Sequence, residues 1–284
     1  MKKILLTGAT GFIGSELLRN FIKNYKIFII IRNKKLEKKI LNNNIKIISY
    51  KNFKELNNKL RKLKIDYVIH CATHYVKKHN FEDLEKLSKS NILFGNVILE
   101  NLEKMKVKKF INFSTVWEDY NNKKDNFFNL YSAYKKSFDN LISYYKKIFN
   151  KIQFFTLAIS DTFGEFDRRK KIINTLRNNY KKNKITPVIS KNLFINLLNV
   201  KDICKAVHLI LIKKITPDKY VLKNKKDYSV LEIIHKLNYE SNKKIKIKWI
   251  SNKIIKEKIY NYKQLNGWKP KESKIKDIVN LIKK

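Results

Sequence analysis

Cysteine is nearly missing from this 284-residue chain: Cys71 and Cys204 stand far apart, with no Cys or His neighbour at ligand spacing. That pattern supports neither a disulfide framework nor a zinc site, so no metal is expected and a reducing cytoplasm is the expected compartment. Proline is as scarce, at three residues, and no low-complexity linker or internal repeat divides the sequence. Long apolar runs are also missing. The longest, Ile27-Phe28-Ile29-Ile30-Ile31 and Leu209 to Ile212, fall far short of the ~20 residues of a membrane helix, so a soluble protein without membrane insertion is expected. Met1-Lys2-Lys3 before Ile4-Leu5-Leu6 has the look of a signal-peptide start, but glycines follow at once, then Glu16 and Arg19 on a helical pattern. It reads as a first strand.

Arginine is rare: six residues against fifty-eight lysines, within a net charge of +40. Such a charge ordinarily points to nucleic acid or an acidic membrane surface. Nucleic-acid readers lean on Arg for forked contacts, however, and these lysines are spread over the whole chain instead of one tail or helix face. They read as a solvated surface with no specific nucleic-acid partner, whose positive field speeds capture of a small phosphorylated ligand. With 43% hydrophobic residues in 34.0 kDa, the chain can bury a full core.

Because only six glycines are present, their positions carry information, and three of them are Gly8, Gly11 and Gly14. They follow the β-type run Lys2 to Thr7 and open a segment in which Ile13, Leu17, Leu18 and Phe21 recur at helical spacing. Tyr25 to Ile31, Ile45 to Ile48, Tyr67 to Ala72, Phe110 to Ser114 and Gln153 to Ile159 read as further strands. Helical stretches lie near Phe53 to Leu63, Phe81 to Met105 and Asn129 to Phe149. This β-α alternation predicts a doubly wound parallel sheet with helices on both faces. Beyond it, Lys170 to Tyr180 and Val200 to Leu211 look helical and Leu193 to Leu198 strand-like. Tyr220 to Leu222, Val230 to Leu237, Lys244 to Ile250 and Ile275 to Ile282 suggest a smaller α+β lobe.

Gly8-Ala9-Thr10-Gly11-Phe12-Ile13-Gly14 therefore falls between the first strand and first helix, where glycines let the backbone approach a pyrophosphate at a helix N-terminus. At the end of the second strand stand Arg32, Asn33, Lys34 and Lys35 instead of the carboxylate that favours NAD. Cations there suit a 2′-phosphate, so NADP(H) is expected, with NAD possible; the lysines are also compatible with plain surface charge. Tyr131 and Lys135 lie one helical turn apart, so an ammonium can lower the phenol's pKa of about 10 and make Tyr131 a usable acid. Lys135 can also hold the nicotinamide ribose. Ser114 and Thr115 end the fifth strand, where open α/β sheets bind ligands, and either hydroxyl can hold a substrate oxygen or satisfy local backbone. His70, Ala72 and Thr73 follow from the same rule at the fourth strand, with a packed His70 as the alternative.

These residues resemble the extended short-chain dehydrogenase/reductase family. Thr7 to Gly14, Phe113-Ser114-Thr115 and the Tyr131–Lys135 pair match its glycine motif and its Ser/Thr, Tyr, Lys set in family order. Val200-Lys201-Asp202-Ile203 and Gly267-Trp268-Lys269-Pro270 are similar to its later segments. The 4,6-dehydratases of the family carry an Asp-Glu pair right after the Thr; here Val116 and Trp117 stand, neither of which is an acid or base. Asn112 to Tyr120, Asn129 to Tyr131 and Ser160 to Gly164 are similar to the CDP-4-dehydro-6-deoxyglucose reductases that make CDP-abequose or CDP-paratose. Ala158, Phe163 and Glu165 depart from the Arg, Tyr and Pro of many relatives.

The resemblance implies an NADP-binding Rossmann domain over 1–160, with a return of the chain near 193–213, and a nucleotide-sugar lobe over 161–284. It implies reduction of the C4 keto group of a 4-keto-6-deoxy, CDP-linked sugar, in deoxysugar synthesis for surface polysaccharide such as O-antigen. Thr115, Tyr131 and Lys135 would be catalytic. Gly8, Thr10, Gly11, Phe12, Ile13, Gly14, Arg32, Lys35, His70, Ala72, Thr73 and Asn91 would join Tyr131 and Lys135 around the cofactor. Ser114, Thr115, Val116, Trp117, Asp161, Arg168 and Arg169 would meet substrate, the two arginines being either diphosphate ligands or surface charges at a helix start. A homodimer through the helices near 81–105 and 129–149 is implied as well. The rival readings are a 4-epimerase with tightly bound NAD and a non-catalytic nucleotide-sensing or RNA-binding protein on the same fold.

Overall fold

Side-chain alternation along the strands decides which helices cover which face of the sheet. The computed structural model describes residues 1–32 and 43–284. β1 (Lys3–Thr7) enters the glycine turn and α1 (Phe12–Phe21), followed by β2 (Lys26–Ile31), β3 (Ile45–Ser49), α2 (Phe53–Arg61) and β4 (Tyr67–His70). α3 (Phe81–Ser88) passes through one wide π-type turn, Lys89–Leu93, into α4 (Phe94–Glu100). β5 (Lys109–Thr115), a 3₁₀ segment Val116–Asn122, α5 (Leu130–Ile148) and β6 (Gln153–Ile159) come next. Then follow β7 (Asp161–Phe163), α6 (Ile172–Lys181), β8 (Thr186–Val188), β9 (Leu193–Ile195), β10 (Leu197–Asn199) and α7 (Val200–Ile212). The chain closes with β11 (Lys219–Leu222), β12 (Tyr228–Ser229), α8 (Val230–Tyr239), β13 (Ile247–Trp249), β14 (Ile255–Lys256), β15 (Lys263–Gln264) and α9 (Ile275–Lys283).

Eight strands form one parallel sheet in the order β15-β11-β6-β5-β4-β1-β2-β3. Ile4, Leu6, Ile27, Ile29 and Ile31 pack on one face with Leu17 and Phe21 of α1 and Ile203, Val207 and Ile210 of α7. Leu5, Phe28 and Ile30 point the other way, onto Leu56 and Leu60 of α2, Ile98 of α4, and Phe138 and Ile142 of α5. Each such buried Ile or Leu contributes roughly 1.5–3 kcal/mol, against at most about 1 kcal/mol for an exposed ion pair, so the core and not the lysine surface holds the fold. The order reverses between β1 and β4, which places the ligand crevice at their carboxyl ends.

A second core gathers Phe163, Leu176, Val188, Leu197, Ile233, Leu237, Ile278 and Ile282 from α6, α8, α9 and the short strands. Asp202, fully buried, ties the closing segment down: it accepts from Lys271 N at 3.0 Å, Glu272 N at 2.8 Å and Ser273 Oγ at 2.7 Å. Trp268 Nε1 donates to the Asp202 carbonyl at 2.9 Å. No helix among the described residues is long and apolar enough to cross a membrane.

Three expected elements come out differently. The helix expected over 81–105 ends at Glu100, and the turns after it reach Lys106 at φ +61°. Leu193 to Leu198 splits into β9 and β10, because the Asn196 side chain leaves the ladder to bond Asn224 O, Asn224 N and Asp227 Oδ1 at 3.1, 2.7 and 2.7 Å. Tyr220 to Leu222, grouped by pattern with the smaller lobe, extends the large sheet as β11. All three residues are buried, as in a strand covered on both faces.

Candidate active site

The glycine turn is a construction of backbone. Gly8 sits at φ +68°, and a Cβ there would lie 2.7 Å from Ala72 N, so no side chain fits. A Cβ on Gly14 would lie 2.2 Å from the Gly8 carbonyl oxygen, which sets how closely α1 approaches β1. Gly11 starts α1 with no side-chain cap, leaving first-turn N–H groups and the helix dipole for an anion.

From this turn a groove of about 890 Å³ runs across the carboxyl ends of the strands. Gly8, Thr10, Gly11, Phe12, Ile13 and Gly14 line one part, and Ile30, Ile31, Arg32, Tyr50 and Lys51 the far end beyond β2 and β3. Ala72 and Thr73 line its middle; Ser114, Thr115, Trp117 and Tyr131 line the end beyond β5. Asp161, Thr162, Arg169 and Lys171 close that end from the second core. The length, the uncapped helix start and the absence of room for a Cβ at the turn together fit a dinucleotide. Lys34 and Lys35 lie outside the described residues.

Tyr131 occupies the first turn of α5, set there by Asn129, whose Oδ1 accepts from Ser132 N at 3.0 Å while Ser132 Oγ accepts from Asn129 N at 3.2 Å. Tyr75 meets its ring edge-on at 5.1 Å. Lys135 lies one turn deeper, 3% exposed and behind the groove wall. The expected acidification of Tyr131 by Lys135 is not found. Burial pushes the Tyr131 phenol up to about 12, with Glu118 and Tyr75 raising it further and Thr73 and Arg169 lowering it. Burial also depresses the Lys135 ammonium, and Asp139 and Glu118 oppose that shift. At the phenol the opposing charges are those of Glu118 and Arg169, and desolvation is the largest effect.

Other expected site residues divide into those on the groove and those behind it. Thr115 is on it, its Oγ1 accepting from Trp117 N at 3.3 Å, and the Ser114 hydroxyl is buried without a protein partner. His70 is not: it packs between Phe94, Phe110 and Phe138, bonds Thr7 Oγ1 through Nδ1 at 3.0 Å, and burial drives its imidazole down to about 3. Asn91, buried in the wide turn before α4, holds the groove wall indirectly. Its Oδ1 accepts from Thr73 Oγ1 at 3.0 Å and His74 N at 2.6 Å. Val116 is buried against Ala158 and Val221, away from the groove. Arg168 is exposed and off the groove. Arg169 is on it, stacked 4.4 Å over Phe12 while bonding Thr162 and Asp167, a strut between the second core and the glycine turn.

Residues unforeseen from the sequence include Tyr50, Lys51, Tyr75, Ser160, Thr162 and Lys171. The strand-end rule, applied also to β3 and β6, would have found Tyr50, Lys51 and Ser160; Lys171 had no signal. Its ammonium pairs with Asp161 and lies 5.5 Å over Trp117. The Trp117 indole N–H donates to Glu257 Oε2 at 3.1 Å, and burial pushes the Glu257 carboxyl up to about 7.

Fold and groove define a doubly wound α/β protein with a groove that fits a dinucleotide, one hydroxyl at the end of β5 and another at the start of α5. The chain belongs to the NAD dependent epimerase/dehydratase family, whose model matches residues 4–222. It is 27% identical over 172 residues to the CDP-abequose synthase of Salmonella muenchen, a match covering 61% of this chain and 57% of that protein. A Yersinia pseudotuberculosis protein of the same name is 25% identical over 207 residues, 72% of this chain and 71% of the relative. With the dTDP-D-glucose 4,6-dehydratase of Dictyostelium discoideum the identity is 36% over 126 residues, 40% of this chain and 29% of that one. In structure it is similar to a mutant UDP-glucuronic acid 4-epimerase from Bacillus cereus, solved with UDP-4-deoxy-4-fluoro-glucuronic acid and NAD, at TM-score 0.80 and 22% identity over 99% of both chains.

Proposed function

We propose that this protein reduces the C4 keto group of a CDP-linked 4-keto-6-deoxy sugar with NADPH. The observation that carries the reading is the set of acids on the groove. Among the described residues lining it, Asp161 is the one carboxylate, and it is paired with Lys171. Val116 and Trp117 follow Thr115 where an eliminating enzyme needs an acid and a base. That leaves no unpaired carboxylate among the described groove residues to draw a proton from carbon, and the Tyr131 hydroxyl, at the same end of the groove as Thr115, serves as proton donor to an alkoxide. Names of two relatives, both CDP-abequose synthases, support the CDP-sugar.

The Gly8–Gly14 turn and Arg32 would hold NADPH, which would supply the hydride for C4. Thr115 orients the C4 oxygen, Tyr131 donates a proton to it, and Lys135 steadies the charge left on Tyr131. Arg32 and Lys51 at the adenosine end favour a 2′-phosphate. Arg169 and Lys171 suit the sugar diphosphate. Exposed Phe81, Leu93, Tyr144 and Ile148 along α3 to α5 support a homodimer, and the two free thiols, Cys71 and Cys204, suit the cytoplasm.

The test is incubation with CDP-4-keto-6-deoxyglucose and NADPH. One NADPH consumed per sugar is expected. Catalytic turnover of a 4-hydroxy nucleotide sugar on retained NAD would reject the reading in favour of a 4-epimerase.

A further inference from the structure

Among the described residues six serines are buried, and four of them bond within the chain. Ser132 Oγ donates to Asn129 O at 2.7 Å, Ser190 Oγ to Lys253 O at 2.5 Å and Ser273 Oγ to Asp202 Oδ2 at 2.7 Å, while Ser229 Oγ accepts from Glu232 N at 3.0 Å. The other two are Ser114 and Ser160, 2% and 5% exposed, whose hydroxyls have no protein partner. Both line the groove. No other side chain on it, among the described residues, has a buried polar atom left unpaired. A buried hydroxyl without a partner is costly in a folded chain, and a pair of them on one groove calls for a ligand.

Strand geometry puts both hydroxyls on one face of the sheet. β5 and β6 pair with Ser114 opposite Ala158, so Ser160 stands one side-chain step further along β6 on the same face. Its backbone N–H donates to Leu222 O of β11 at 3.1 Å, which keeps it on the ladder. That face is the one covered by α5: Asn112, two residues before Ser114, bonds Asp139 of α5 at 3.0 Å, whereas Phe113 packs into the opposite core. Tyr131 stands on the same helix.

We propose that Ser114 and Ser160 are specificity-determining residues that receive the C3 hydroxyl of the sugar, so that the enzyme acts on a substrate hydroxylated beside the reacting carbon. This rests on the reductive reading given above. With the cofactor held at the turn after β1, the side of Tyr131 towards β6 and the second core is left for the sugar. Of the two ring carbons beside C4 in a 4-keto-6-deoxy sugar, C3 bears a hydroxyl and C5 bears the C6 methyl. A hydroxyl can donate to one serine and accept from the other, which a methyl cannot. The methyl has its own surface on the same groove, the rings of Tyr75 and Trp117, 6.2 Å apart, with the Trp117 N–H already taken by Glu257. The carboxamide of the nicotinamide has the same hydrogen-bonding chemistry as the C3 hydroxyl, and the experiment separates the two.

CDP-4-keto-6-deoxyglucose and the same sugar lacking its C3 hydroxyl are compared on wild type, Ser160→Ala and Ser114→Ala with NADPH. Wild type is expected to favour the 3-hydroxy sugar by about 10–100-fold in kcat/KM, because the 3-deoxy sugar leaves two buried hydroxyls unpaired. In each variant that preference shrinks by about 3–10-fold, with the Kd for NADPH within about 2-fold of wild type. Titration of both sugars into enzyme loaded with NADP⁺, which has no hydride to give, reads the same preference as a ratio of Kd values. A wild type that treats the two sugars alike in turnover and in binding overturns the proposal. So do variants that lose equally on both sugars, and variants that bind NADPH about 10-fold more weakly with the preference intact, which assigns the hydroxyls to the carboxamide. A preference in binding with no NADPH consumed by wild type supports the serine pair and sinks the reductive reading.

Discussion

At the glycine turn the groove wall is backbone, closed to any Cβ at Gly8 and Gly14, whereas at the Tyr131 end it is made of side chains held by partners from distant segments. Trp117 donates to Glu257, 140 residues away, and Lys171 is paired with Asp161 of β7. Backbone walls recognise what all dinucleotides share, a pyrophosphate. Side-chain walls can be exchanged without disturbing the turn, which is how one fold serves different sugars.

The contrast can be broken by separating the two ends. Tyr131→Phe should lower kcat by about 10²–10⁴-fold while NADPH affinity and the circular dichroism spectrum stay unchanged. Equal loss of cofactor binding would show that the ends are not independent. Arg32→Glu should raise the Kd for NADPH by about 10–100-fold and leave that for NADH within 3-fold, measured by fluorescence titration. Gly14→Ala should lower Tm by about 3–10 °C and weaken both dinucleotides together, because the new methyl meets the Gly8 carbonyl. Trp117→Ala should raise KM for the sugar by about 3–10-fold with NADPH KM unmoved.

The smallest effect is on pH. Glu257 is raised to about 7 in the folded chain by burial, so its neutral form is the one the fold favours. The stability it contributes is complete below its unfolded pKa near 4.3 and is lost as pH rises through 7. Glu257→Gln should therefore flatten the decline of Tm between pH 5 and 8 by about 1–2 °C in calorimetry. A steeper decline would place the carboxylate, not the acid, in the native state.

The same division explains what was legible in the sequence. Gly8 to Gly14, Thr115 and Tyr131 sit at strand ends or one turn into a helix, so position in the β-α alternation, together with the family resemblance, places them on one crevice. Asp202 and Trp268 were singled out as separate segments, and the structure joins them in one hydrogen-bonded knot. Legibility ended where a residue's role depends on what packs around it. His70 obeys the strand-end rule, yet three Phe rings enclose it. Lys135 stands at the right spacing from Tyr131, but Glu118, Asp139 and Lys219 change its charge balance, and they come from three separate elements. No spacing rule announces that Glu118 and Lys219, 101 residues apart, will meet.

The most direct measurement uses NADPH carrying deuterium at the transferred position, in ordinary water, with the CDP-4-keto sugar and NMR of the product. Deuterium at sugar C4, with C3 and C5 unexchanged in a parallel run in heavy water, is the result expected of a groove whose free acid is Tyr131. Solvent deuterium at C3 or C5, or a label that stays on the cofactor, would contradict it.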